Sequence, residues 1–216
     1  MLTKENCSKD KILELITEQA KWRVDKNVVA KNIYANAQAE NVDYELNNNY
    51  HLNFNSVAMQ QILGKIKLPG DFYGRCPSWL KALNFNHCNT SSKQDYLLRL
   101  DPGEDINTIR NKPIKVRAVL SQGYAVIDDK FLFPKLFQAI ESTNDNSVQY
   151  MTFEQDDSIT RLLVLFNDCS TEINNKRYYA GLSVINSEVG QSSVWIEPII
   201  YSEDQLFYNR ASLQKS

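Results

Sequence analysis

The sequence predicts an α+β fold: an antiparallel sheet crossed by a helix, with an N-terminal helical segment ahead of it. Three observations carry that expectation. Apolar residues recur at helical spacing through much of the first ninety residues, a strongly apolar helical stripe follows Asp129, and from Val148 onward the pattern turns into β runs parted by short polar connections.

Taken in order, Ser8 is placed to cap a helix in which Ile12, Leu13, Leu15, Ile16 and Ala20 recur, with Trp22 near its end. A second helical pattern covers 28–37, and the Asn-rich stretch 40–49 has no period and reads as a loop. Residues 1–48 are therefore expected to form a helical appendage, followed by a core domain at 49–201 and a tail at 202–216. Leu52 and Phe54 mark a short strand, and Ser56 caps a helix with the stripe Val57, Met59, Ile62, Leu63 and Ile66. Leu68-Pro69-Gly70 breaks it, because proline lacks the amide donor and glycine suits a helix end. Pro77 opens another helix over 77–84, with Trp79, Leu80 and Leu83 on one face.

Residues 96–100 and 114–120 read as strands. In the second, Ile114, Val116, Ala118 and Leu120 alternate with Lys115, Arg117 and Val119. Turns fall at 101–103 and 121–124, and a short strand at 125–127. Phe133, Leu136, Phe137 and Ile140 then form the helix that crosses the sheet. Pro134 fits only a first turn, which places the start near Phe133. Strands over 148–153, 161–166, 177–185 and 192–201 complete the pattern.

The chain has 216 residues, 43% hydrophobic and 23% charged, enough for a sizeable core. A net charge of −2 gives no global basic field. The charge is uneven: residues 61–117 hold ten Lys/Arg against five Asp/Glu, and residues 118–216 hold seven against thirteen. Cys7, Cys76, Cys88 and Cys169 show no CxxC spacing, which fits reduced thiols. The polar N-terminus is unlike a secretory signal, and no apolar run is long enough to span a bilayer. A cytoplasmic protein without a membrane partner is expected.

Arg99, Arg110, Lys112, Lys115 and Arg117 lie on or between the strands at 96–100 and 114–120. Lys115 and Arg117, two apart, would share a face with Arg99 able to track a phosphate backbone, while Tyr96 and Tyr124 stack unpaired bases. The competing reading is an ordinary solvent face that protects an edge strand. Asn186-Ser187-Glu188-Val189-Gly190 is read as hairpin chemistry, since one local carboxylate is too few for a hard cation. Cys76, His87 and Cys88, with His51 elsewhere, lack zinc-site spacing. The pairs Asp128-Asp129, Asp156-Asp157 and Glu203-Asp204 sit at expected turns or helix starts. No GxGxxG or P-loop pattern occurs. No catalytic residue, metal site or cofactor is expected.

Three segments carry a resemblance. The first is Phe54-Asn-Ser-Val-Ala-Met-Gln-Gln-Ile-Leu63 with Leu68-Pro-Gly-Asp-Phe-Tyr73 and the stretch from Trp79 to Asn84. The second is Val116-Arg-Ala-Val-Leu-Ser-Gln-Gly-Tyr124 with Ile127-Asp128, and the third is Gly181-Leu-Ser-Val-Ile-Asn-Ser-Glu-Val-Gly190. Together they resemble the phage/plasmid-like family known as domain of unknown function 932, over residues 50–201. Members of that family usually continue with a Cys-x-Asn-Gly-like element and further helices, which this sequence does not include. The resemblance implies a phage, prophage or plasmid setting and transfers no catalytic residue. At the level of fold it is similar to the single-strand annealing proteins of the RecT/Red-beta type, which assemble into rings or filaments.

The expected function is therefore non-enzymatic: a mobile-element DNA-metabolism protein that binds single-stranded DNA and self-assembles into a homo-oligomer to promote annealing. The alternative is a protein-interaction or host-factor-inhibiting module with an acidic surface. A metal-dependent nuclease comes third and would need carboxylates converging from distant segments.

Overall fold

The computed structural model describes residues 2–47, 49–109, 112–142, 148–202 and 205–208. The fold is α+β, and it divides into two compact units. The first comprises residues 1–20 and 126–216, and the second, residues 21–125, is inserted between them in the chain. This division replaces the boundary expected at 48/49.

The first unit holds β1 (Leu2–Glu5), α1 (Lys9–Ala20), α5 (Asp129–Glu141), β8 (Val148–Gln155), β9 (Thr160–Ile173), β10 (Lys176–Asn186), β11 (Trp195–Ser202) and β12 (Gln205–Tyr208). The strands form one sheet in the order β1-β8-β9-β10-β11-β12, antiparallel throughout. Ser8 does help cap α1, its Oγ accepting from the Lys11 amide at 3.3 Å. Ile12 and Ile16 of α1 pack with Phe133, Phe137 and Ile140 of α5 over Phe153, Leu162, Val164 and Val184 of the sheet. The expected apolar stripe is thus the face that lies across the sheet. A Lys9–Glu141 ion pair ties the two helices together.

At Gly181 a Cβ would collide with the Val164 carbonyl oxygen and crowd Leu165 and Ile199. The sheet therefore needs a residue without a side chain there.

Helix α5 starts four residues before the expected Phe133. The Asp128 carbonyl accepts from Phe131 and Leu132 at 2.9 and 3.0 Å, and Asp129 is fully buried. That anchoring offsets an interior proline, which costs about 3 kcal/mol in a helix. Residues 125–127 form no strand. The expected tail also differs, since β12 pairs with β11.

The second unit holds β2 (Val24–Val29), β3 (Ile33–Gln38), β4 (Asn41–Leu46), β5 (Tyr50–Phe54), α2 (Ser56–Lys65), α3 (Gly70–Arg75), α4 (Ser78–Ser91), β6 (Asp95–Asp101) and β7 (Ile114–Ser121). Its sheet runs β2-β6-β7-β5-β4-β3, with β5 and β7 parallel and the other neighbours antiparallel. The helix expected over 28–37 is instead β2, a 3-10 turn at Ala30–Asn32 and β3. Ile33 and Ala35 are buried while Tyr34 is exposed, a period of two that wins over the weak helical match. The expected loop at 40–49 contains β4, with Tyr44 and Leu46 in the core. Ala39 and Asn47 take positive φ at its two ends and turn the chain.

Asn55, rather than Ser56, caps α2 by accepting from the Ala58 amide at 2.8 Å. Helix α4 buries Ala82, Phe85 and Asn89, so Trp79 and Leu83 face outward, contrary to the expected shared apolar face. Asn86 and Asn89 clamp the edge of the sheet. Asn86 exchanges two 2.8 Å hydrogen bonds with the Ala35 backbone, and Asn89 donates to the Ala30 and Ile33 carbonyls at 2.6 and 2.9 Å.

Candidate nucleic-acid interface

The strand face expected to meet phosphate is not a solvent face. Arg99 and Arg117 retain only 2% and 4% of their exposure, and Tyr96 is fully buried. The cause is a register shift between β6 and β7. Arg99 pairs with Ala118 and Leu100 with Val116, which leaves Arg117 as an extra residue. Val116 and Val119, three apart, can then both enter the core. The Gln61 side chain accepts the Val119 amide at 2.8 Å.

Arg99 is committed to Asp25, its cross-strand neighbour, at 3.0 Å. Lys112 is exposed but pairs with Glu104 at 2.8 Å, a hydrogen bond that raises its pKa. Lys115 is half-buried and Tyr124 is exposed. Arg110 lies outside the described residues. Of the seven expected contact residues, Tyr124 is exposed, and Lys115, the register partner of Asp101 on the neighbouring strand, keeps partial solvent access.

The same unit gathers a different set of cations. A groove of about 450 Å³ is lined by Lys65, Lys67, His87, Ser91, Ser92 and Lys93 among others, and none of its lining residues is acidic. Two helix ends build it. After α2, Lys67 adopts φ +57° while the Leu68 amide bonds back to the Leu63 carbonyl at 2.9 Å. Glycine normally occupies that left-handed position, and a lysine there costs about 1 kcal/mol. After α4, the Ser92 amide bonds the Asn89 carbonyl at 3.1 Å. Buried Tyr96 places its hydroxyl 3.4 Å from both Asn89 Oδ1 and Ser92 Oγ. Tyr96 therefore shapes the groove from beneath and does not stack bases.

Each helix C-terminus contributes roughly −0.5, so two ends offset about one of the three lysine charges and leave about +2 in the groove. The unit as a whole holds fourteen Lys/Arg against nine Asp/Glu, whereas residues 1–20 with 126–216 hold ten against seventeen. Burial lowers the Lys65 pKa, and its ammonium donates to Ser121 Oγ at 2.9 Å. Ser121 opens the turn that carries Tyr124, whose amide bonds the Ser121 carbonyl at 2.9 Å. An exposed aromatic ring thus sits on the turn that Lys65 contacts.

The Asn186–Gly190 segment has an architectural role. Asn186 Nδ2 donates to Asp129 Oδ1 at 2.7 Å and to the Ile127 carbonyl at 2.9 Å, and Glu188 Oε1 accepts the Asp129 amide at 2.9 Å. Gln155 and Thr160 donate to Asp129 Oδ2 at 3.0 and 2.5 Å. Ser187 donates to the Ser158 carbonyl at 2.7 Å and accepts the Gln191 amide at 3.0 Å. Gly190 takes φ +74°. This knot pins the start of α5 to the sheet, and Asp129 has no exposure through which to meet a substrate.

Asp156 closes a turn by accepting the Ser158 and Ile159 amides at 2.7 and 2.8 Å. Burial works against its charge, but those amides and Arg161 outweigh it and lower its pKa. Glu203 and Asp204 lie outside the described residues. Cys76 is buried with its thiol toward the Phe72 carbonyl at 3.3 Å, while His87 faces outward in the groove. Among the described residues no helix is long and apolar enough to cross a membrane. Comparison with protein-family models, curated proteins and solved structures finds no match.

Proposed function

We propose that this protein binds single-stranded DNA without catalysing a reaction, holding phosphates in the groove of Lys65, Lys67 and Lys93. The observation that carries the reading is the convergence of three lysines and His87 in one groove with no acidic lining residue. Tyr124, exposed on the turn beside Lys65, supplies a stacking surface worth about 1–3 kcal/mol per base. One groove of this size takes few nucleotides, so a continuous track requires self-assembly into a homo-oligomer. The resemblance to the phage/plasmid-like family supports a mobile-element setting in the host cytoplasm, and the proposed role is the strand-binding step of annealing.

The test is a titration of labelled single-stranded and duplex oligonucleotides. Three lysine contacts to a single strand give a slope of about −2 in log K against log salt, an affinity loss of about twentyfold between 50 and 200 mM. Tighter binding to the single strand with that slope supports the proposal. Equal binding to both forms, or none, removes it.

A second reading has its own observation. Phe72 on α3 and Trp79 and Leu83 on α4 are 50%, 61% and 58% exposed. Trp79 and Leu83, four apart, share one helical face. Exposed large apolar groups of this kind suit a protein partner. Stoichiometric capture of a host protein that is lost on Trp79→Ala would favour an interaction module over DNA binding.

A further inference from the structure

A cluster on the second unit is used by neither reading. Asp43 and Glu45 lie two apart on β4 and project from one face, and His51 on β5 is the register partner of Glu45. The intervening side chains, Tyr44 and Leu52, point the opposite way into the core. Tyr44 is fixed further by a hydroxyl–hydroxyl contact with Tyr73. The three polar groups are therefore carried on strands whose other face is locked by packing, the kind of support that holds ligands in place.

His51 Nδ1 lies 3.0 Å from Asp43 Oδ2, and one ligand atom from each of the three residues falls within 4.8 Å of the others. Adjacent ligands on a cation with bonds of about 2.1 Å are themselves about 3.0 Å apart in octahedral geometry, so the Asp43–His51 edge already has the required separation. Asn36 Nδ2 donates to Glu45 Oε1 at 2.9 Å, the outer hydrogen bond that fixes a ligating carboxylate. Asp43 bonds to His51 and Glu45 to Asn36, and among the described residues no Lys or Arg pairs with either carboxylate. Two like charges on one strand face, in a unit of net positive charge, have an imidazole and an amide as their neighbours.

We propose that Asp43, Glu45 and His51 bind a divalent first-row transition metal ion such as Mn²⁺, Co²⁺ or Zn²⁺. Two carboxylates and one imidazole are a hard-to-borderline donor set that suits these ions. Three protein ligands leave further coordination positions for water or an anionic oxygen.

The chain has two histidines, His51 and His87, which makes the test direct. Mn²⁺ is titrated into untagged full-length protein while the two histidine ring resonances are followed by NMR. Selective broadening of the His51 ring at substoichiometric Mn²⁺ is expected. Calorimetry with Zn²⁺ should give one site, weakened at least about tenfold in His51→Ala and in Asp43→Asn and unchanged in His87→Ala. The spectra of the unsubstituted protein keep the proposal testable if a variant misfolds. Selective broadening of His87, or Zn²⁺ affinity unaffected by His51→Ala, overturns it.

Discussion

Replacing Asp129 by alanine removes an acceptor on which three buried side chains converge. Asn186 keeps a second acceptor in the Ile127 carbonyl, but the Gln155 amide and the Thr160 hydroxyl lose the partner that Asp129 Oδ2 gives them. A buried donor left unsatisfied costs about 1–3 kcal/mol, so two cost about 4 kcal/mol together. With a urea m-value of about 2 kcal/mol/M, the unfolding midpoint should fall by about 2 M. The backbone amide of residue 129 still reaches Glu188, so the start of α5 is weakened rather than abolished. Thr160→Val removes one donor while Asp129 keeps two, and should cost only about 1 kcal/mol. The assay is urea unfolding followed by circular dichroism, with hydrogen exchange of the α5 amides to localise the loss. A midpoint change below about 0.5 M for Asp129→Ala, or a larger loss in Thr160→Val, would refute the account of the knot.

Gly181→Ala should lower stability by about 2 kcal/mol, or the melting temperature by about 4–8 °C, because its Cβ meets the Val164 carbonyl oxygen; unchanged melting would show that the strands can part there at no cost. Arg117→Ala should lower stability by about 2–4 kcal/mol through lost packing of a buried side chain and leave the salt dependence of oligonucleotide binding intact. A stable Arg117→Ala protein with a flattened salt dependence would return the contact to the strand face. The lowered pKa of Lys65 sets a pH response. The folded state holds this proton less tightly than the unfolded chain, so the burial penalty on stability applies below the folded pKa and fades as pH rises through it. DNA affinity should move the opposite way, falling as pH rises through that lowered value before ordinary lysines at 10.5 deprotonate. Lys65→Arg should shift this fall upward, and an identical pH profile in that variant would exclude Lys65 from the contact.

What could be read from the chain depended on how strong each local pattern was. Ile12 and Ile16, the Phe133–Ile140 stripe and the alternation along β9 and β10 each carry enough large apolar residues to declare a period, and they form the elements expected. The segment 24–46 does not, because its strands and the turn between them bury small residues such as Ala30 and Ala35 among Asn and Lys. Their backbone is satisfied by Asn86 and Asn89, polar residues that a hydrophobic pattern counts as solvent-facing. The face of Arg117 was illegible for another reason: one extra residue in β7 inverts the parity on which alternation depends. The groove escaped notice because Lys65, Lys67, His87 and Lys93 come from two helix ends whose meeting is a tertiary fact. Lys67 held the one local sign, a lysine where the helix end calls for glycine.

The most direct measurement compares the salt dependence of single-stranded oligonucleotide binding in the unsubstituted protein and in the combined Lys65→Gln, Lys67→Gln, Lys93→Gln variant, by fluorescence anisotropy from 50 to 200 mM salt. The account predicts that the slope of log K against log salt becomes shallower by about 2, at about 0.7 per lost phosphate contact, with circular dichroism unchanged. An identical slope in the two proteins would contradict it.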